Sequence, residues 1–150
     1  MSHSYVSGLF HVAFSTKERR AMIAPALKER LFPYMGGIAR ENGIKALAIG
    51  GTEDHVHMLI SLPSTMAIAK AVQLVKAGSA KWVHEEFREH TGFAWQEGYA
   101  AFSVSVSHVE PLKNYIAEQV EHHKKRTFAE EFLALLEKHG IEYDQRYVWG

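Results

Sequence analysis

At 150 residues the chain is sized for one domain with a real core, burying roughly two-thirds or more of its unfolded surface. Its 17 Lys and Arg balance 17 Asp and Glu, so any polyanionic partner has to be met by local patches, and the absence of cysteine excludes a disulfide framework, thiolate metal ligands and a cysteine nucleophile. No apolar run approaches the roughly 20 residues that span a bilayer and no signal-peptide pattern stands at the N-terminus, so a cytoplasmic protein with no membrane partner is expected.

Residues 8–14 alternate enough to predict a first strand, ended by the polar loop Ser15-Thr16-Lys17-Glu18-Arg19-Arg20. A helix is predicted from Pro25, a favoured first-turn residue, to Glu41, with Asn42-Gly43 as its stop signal. Residues 44–49 read as a second strand, turned by Gly50-Gly51-Thr52 into a third that Pro63 and Ser64 close. Apolar positions Ile68, Val72, Val75, Val83 and Phe87 predict a long helix over 66–90. Residues 93–95 and 99–106 then read as one strand interrupted at Gln96-Glu97-Gly98. A final helix carries Pro111 in its first turn, with Ser107 and Glu110 placed for a capping box.

The order βαββαβ followed by helices predicts an α+β, ferredoxin-like antiparallel sheet. Both crossover helices would lie on one face, leaving the other for a site and for the additional C-terminal, tyrosine-bearing helix. No repeat or linker divides the chain, so residues 1–150 are expected to be a single domain with a core over 8–126 and a helical extension over 127–150.

The third strand contains Glu53-Asp54-His55-Val56-His57-Met58-Leu59-Ile60-Ser61-Leu62. In a strand, His55 and His57 point to one face while Val56, Met58, Ile60 and Leu62 form an apolar stripe on the other. Two neutral imidazoles side by side can hold a divalent ion. With 10 histidines in the chain, however, about 0.7 such pairs arise by chance, so the pair needs a second signal.

That signal lies in Tyr115-Ile116-Ala117-Glu118-Gln119-Val120-Glu121-His122-His123. At helical spacing Tyr115, Gln119 and His122 share a face, which brings a phenol, a carboxamide and an imidazole together. A buried face of this kind needs a hydrogen-bonding partner for each group, and a solvated face with an incidental tyrosine is the plain alternative.

Taken in this order and at this separation, the two motifs resemble the single-tyrosine HUH transposases of insertion-sequence-200-like elements. The similarity extends to Phe14-Ser15-Thr16-Lys17, to Gly50-Gly51-Thr52-Glu53-Asp54 and to Trp95-Gln96-Glu97-Gly98-Tyr99, and it spans residues 8–126. The resemblance implies that His55, His57 and Gln119 bind Mg²⁺ or Mn²⁺ and that Tyr115 is the nucleophile. It implies cleavage and rejoining of single-stranded DNA at hairpin-bearing ends through a 5′-phosphotyrosine. It also implies a homodimer in which each site takes its histidines from one chain and its tyrosine helix from the other, with the strand over 99–106 as an edge that could pair between copies; a monomer whose tyrosine helix folds back onto its own sheet is the alternative.

Lys17, Arg19 and Arg20, Lys76 and Lys81, and His122 with Lys124, Lys125 and Arg126 are candidate phosphate contacts, although charge runs are usually solvated surface. Trp82 is expected in the core and His123 in solvent. Glu53 and Asp54 either orient the imidazoles or form a solvated turn. Two other functions fit the same residues: a domesticated hairpin-binding nickase of repetitive DNA, and a ferredoxin-like binding module without catalysis.

Overall fold

The computed structural model describes residues 3–149. Strands β1 (Leu9–Ser15), β2 (Lys45–Gly51), β3 (His55–Ser61) and β4 (Ala100–Ser103) form one sheet in the order β2-β3-β1-β4, every neighbour antiparallel. Helices α1 (Pro25–Glu41) and α2 (Ile68–Glu86) are the two crossovers, and α3 (Val109–Ala117), α4 (Gln119–His122) and α5 (Phe128–Lys138) follow the last strand. The chain is thus the split βαβ arrangement that the element order predicts.

Strand alternation divides the molecule. Val12 and Phe14 of β1 and Val56, Met58 and Ile60 of β3 meet α1 and α2 in the main core, with Leu27, Leu31, Met35, Val72 and Val75. Ala13, Ala100 and Phe102 point the other way and pack with Phe128, Phe132 and Leu136 of α5. The second face is therefore not open: α3 and α5 roof it, and the histidines lie beneath them. Gly50 lets α3 come close to β2, since a Cβ there would stand 2.3 Å from the Ile116 carbonyl oxygen. Gly43, at φ 75°, supplies the left-handed turn that ends α1 where the sequence places its stop.

Several predicted boundaries shift. Helix α2 stops at Glu86 because Phe87 leaves helical geometry to set its ring edge-on to Trp82, and Trp82 itself lies half-buried, packed against the main core and stacked on Tyr34. The interrupted strand reduces to β4, with Trp95 making only an isolated bridge to Thr16. The intervening loop is folded around Lys76, whose ammonium donates to the carbonyl oxygens of Gln96, Glu97 and Gly98. Helix α3 has no capping box, because the Ser107 hydroxyl is engaged with Ser105 and His108; the box that exists joins Thr127 and Glu130 at the start of α5. The tyrosine helix also breaks at Glu118 (φ −100°, ψ 21°), so Gln119 and His122 fall on the separate turn α4.

Candidate active site

His55 and His57 are completely buried on the second face of β3, as its alternation predicts. His55 Nδ1 lies 2.7 Å from Asp54 Oδ1 and 3.0 Å from Thr52 Oγ1, which fixes the ring from behind. Burial alone would raise the Asp54 carboxyl, but its hydrogen bond and charge interaction with His55 hold it below the usual value. Asp54 thus orients an imidazole and is not a solvated turn residue.

On its other side, His55 Nε2 is 2.8 Å from the Gln119 amide oxygen. His55 Nε2 and the Gln119 amide oxygen thus stand side by side, two atoms whose lone pairs can both be offered to one cation. His57 is held similarly. Its Nδ1 is 2.7 Å from His11 Nε2 and its Nε2 is 2.8 Å from Glu131 Oε1. Burial, reinforced by the His57 charge, lowers His11 to about 3, and burial carries His57 well below the ordinary histidine value. Both rings are therefore neutral near neutrality, and a single proton joins them.

Glu131 is the centre of the cluster. One oxygen is 2.8 Å from His57 Nε2 and 3.0 Å from His123 Nε2, and the other accepts the Tyr115 hydroxyl and lies 3.4 Å from the Gln119 amide nitrogen. Burial raises this carboxyl to about 7. One ligand atom from each of His55, His57, His123 and Glu131 falls within 4.8 Å of the others. Neighbouring ligands of a six-coordinate ion with bonds near 2.1 Å stand about 3 Å apart, close to the observed 2.8 and 3.0 Å separations. The imidazole, amide and carboxylate donors fit a Mg²⁺- or Mn²⁺-sized ion.

The fold brings Tyr115, His55, His57 and Gln119 together although 60 positions separate His55 from Tyr115. The Tyr115 ring is 5.8 Å from that of His57 and 4.6 Å from that of His122. Lys124, Lys125 and Arg126 are exposed just beyond, Lys124 paired with Glu121 at 2.9 Å. On the turn after β1, Lys17 is exposed, Arg20 pairs with Glu18 at 2.6 Å, and Arg19 lies 4.1 Å over the Trp149 ring. Lys81 and Lys76 stand on α2, behind the sheet. Lys81 faces Glu85 at 4.0 Å. Lys76 is lowered to about 8 by burial and its ammonium is committed to three loop carbonyls, so it serves the fold.

His123 departs from its expected place in solvent: it is turned inward to Glu131 and burial lowers it to about 4. Two central residues escape a motif search. Glu131 carries a legible signal, a carboxylate within the stripe Phe128, Glu131, Phe132, Leu135 of an amphipathic helix. His11 stands on the same strand face as Ala13, a polar group in an otherwise apolar run.

Known proteins share the sequence pattern and the fold of this chain. A family described as "Transposase IS200 like" matches residues 4–119. The ISDra2 transposase TnpA of Deinococcus radiodurans is 25% identical over 115 residues, covering 73% of this chain and 82% of that protein. The transposase for insertion sequence element IS200 of Salmonella typhimurium is 21% identical over 129 residues, covering 83% and 84%. Among solved structures, a candidate transposase of Deinococcus radiodurans R1 superposes with a TM-score of 0.64 at 22% identity, over 79% of this chain and 95% of that one. A REP-associated tyrosine transposase bound to a REP hairpin superposes with a TM-score of 0.61 at 13% identity, over 82% and 73%; at these identities the likeness is one of fold.

Proposed function

Because the chain belongs to the IS200-like transposase family, we propose that it cuts and rejoins single-stranded DNA at hairpin-bearing ends through a covalent link to Tyr115. The observation that carries this reading is the convergence of the Tyr115 hydroxyl and His57 Nε2 on one buried carboxylate, Glu131, beside the His55–Gln119 pair. An incidental tyrosine on a binding module would have no reason to close such a cluster.

His55, His57 and Gln119 would hold the ion, with Glu131 within reach of the same position. Bound there, Mg²⁺ or Mn²⁺ supplies Lewis-acid stabilisation of the charge that develops on the scissile phosphate. A phenol with an ordinary pKa near 10 is a weak nucleophile at neutral pH and needs a proton acceptor. Tyr115 already donates to Glu131, which can take that proton as the phenolic oxygen forms its bond to phosphorus. The bond from phosphorus to the 3′ oxygen breaks, and the departing oxygen leaves as a 3′-hydroxyl after protonation. The phosphotyrosine conserves the bond energy, so another 3′-hydroxyl can attack it and the tyrosine regains its proton. Cutting and joining are one reversible reaction.

Lys17, Arg19, Arg20, Lys81, His122, Lys124, Lys125 and Arg126 remain the candidate contacts to the DNA backbone. The sheet edge supports a homodimer as the assembly. Among the described residues β4 pairs only with β1, so its outer side could extend the sheet into a second copy. In that homodimer the tyrosine helices would be exchanged, each contact now made by α3 within one chain being made across the pair. Incubating the protein with labelled single-stranded hairpin DNA and Mg²⁺ tests the proposal. A denaturation-resistant adduct is expected from the wild type and none from Tyr115→Phe; its absence from both would refute the reading.

A further inference from the structure

The two histidines of β3 are backed by partners of different chemistry. Behind His55 stand the Asp54 carboxylate and the Thr52 hydroxyl. An ionised carboxylate only accepts, so a proton is fixed on His55 Nδ1. Behind His57 stands another imidazole: His11 Nε2 lies 2.7 Å from His57 Nδ1, with the rings 5.0 Å apart and inclined by 30°. β1 and β3 run antiparallel with Ala13 opposite His57, which sets His11 diagonally across from it on the same face of the sheet. His11 is only 4% exposed, seated against the Phe102 ring, and is not one of the groups that converge on the ion position.

An imidazole in this place does what a carboxylate cannot. Its Nε2 either gives or takes a hydrogen bond, so it supports His57 in both neutral tautomers, and it adds no further negative charge beside the buried Glu131. To hold an ion, His57 has to present a bare Nε2, and its proton then stands on Nδ1, donated to His11. With no ion, His57 Nε2 faces a Glu131 carboxylate oxygen at 2.8 Å, where an N–H is the matching group, and Nδ1 then accepts from His11. Resting on the reading of His57 as a metal ligand, we propose that His11 is a positioning residue that holds the His57 ring and frees its Nε2 lone pair for the ion. Between the two states the shared proton crosses from His11 Nε2 to His57 Nδ1, while His57 gives one up at Nε2 and His11 takes one at Nδ1. Both rings stay neutral, and only the place of the proton changes. The contact joins two strands of one sheet, so it is the same whether the tyrosine helix over the site comes from its own chain or from a second copy.

Two substitutions separate positioning from the filling of space. His11→Gln sets an amide where Nε2 stands and keeps both an acceptor and a donor, whereas His11→Phe keeps a ring against Phe102 and has neither. Mn²⁺ binding to the full chain without DNA is read from the electron paramagnetic resonance signal of the free ion. Affinity is expected to fall about tenfold or more in His11→Phe and to return close to wild type in His11→Gln. A ring that only fills space gives the opposite order. Equal affinity in wild type and folded His11→Phe, or a weaker His11→Gln than His11→Phe, overturns the inference and leaves the cation site standing. A wild type that takes up no Mn²⁺ refutes the cation site and the inference with it. The check that needs no variant is nuclear magnetic resonance of the ¹⁵N-labelled wild type, first in EDTA and then in Mg²⁺. A coupling between the two ring nitrogens through their hydrogen bond is expected in EDTA, and in Mg²⁺ the shared proton is expected on His57 Nδ1. No coupling between the two rings, or a proton still on His57 Nε2 in the Mg²⁺-loaded protein, overturns the assignment.

Discussion

Gly50→Ala should damage both stability and chemistry, although the substituted residue touches none of the reacting groups. The added methyl would sit 2.3 Å from the Ile116 carbonyl oxygen and 2.9 Å from its Cγ2, and Ile116 is buried at 1% exposure. A backbone carbonyl cannot swing aside as a side-chain end can, so α3 has to back away from β2 by about 1 Å, an overpacking strain worth roughly 1–3 kcal/mol. For a domain of this size that lowers the melting temperature by roughly 3–10 °C. Tyr115 precedes Ile116, so the nucleophile moves with the helix, and a displacement of this size costs about a hundredfold in rate. Differential scanning fluorimetry and the rate of adduct formation, measured where the variant is still folded, read the two effects. Gly78→Ala is the control: its Cβ would meet only the Ile38 Cδ1 end at 2.9 Å, which can rotate away, so melting and rate should stay near wild type. A Gly50→Ala variant with unchanged melting temperature and rate would refute the placement of the tyrosine helix on β2.

Acid should destabilise the metal-free protein. His11 and His123, at about 3 and about 4, and His57, far below its ordinary value, stay neutral when folded but take protons near 6.5 when unfolded. Stability is thus lost as pH falls from 6.5 towards 4; Glu131, raised to about 7, works the opposite way but is one group against three. A melting temperature in EDTA that is flat or rising across that window would contradict the buried neutral histidines. Replacing Lys124, Lys125 and Arg126 together by Ala should lower the salt dependence of hairpin binding by about two counterions; an unchanged slope places the DNA elsewhere. Mixing His57→Ala with Tyr115→Phe, each inactive alone, should restore cleavage at one site of the mixed dimer. Failure despite proven subunit exchange would leave each site within a single chain.

The sheet, its two crossover helices and the facing of His55 and His57 were legible because each rests on a local period: alternation in β3, the Pro25 start and Gly43 stop of α1. The site was legible as far as its motifs reach, through His-x-His and the four-residue step from Tyr115 to Gln119. The roles of Glu131 and His11 were not: Glu131 shows in the sequence only as a carboxylate within an apolar helix stripe, and its place in the site comes from packing. Glu131 enters only because α5 folds over the second face, and that depends on Phe128, Phe132 and Leu136 meeting Ala13, Ala100 and Phe102 from distant strands. Lys76 misled for the complementary reason: a lysine on a helix surface gives no sign that a loop 20 residues later will close over its ammonium.

If Tyr115 forms the covalent bond to DNA within a cation site built by His55, His57 and Gln119, the attached peptide will show it. The most direct measurement is mass spectrometry of the protein after incubation with a single-stranded hairpin substrate and Mn²⁺, with and without EDTA. The expected product is a 5′-phosphorylated DNA fragment attached to the peptide containing Tyr115, formed only when metal is available. Attachment to another residue, or an equal yield in EDTA, would contradict it.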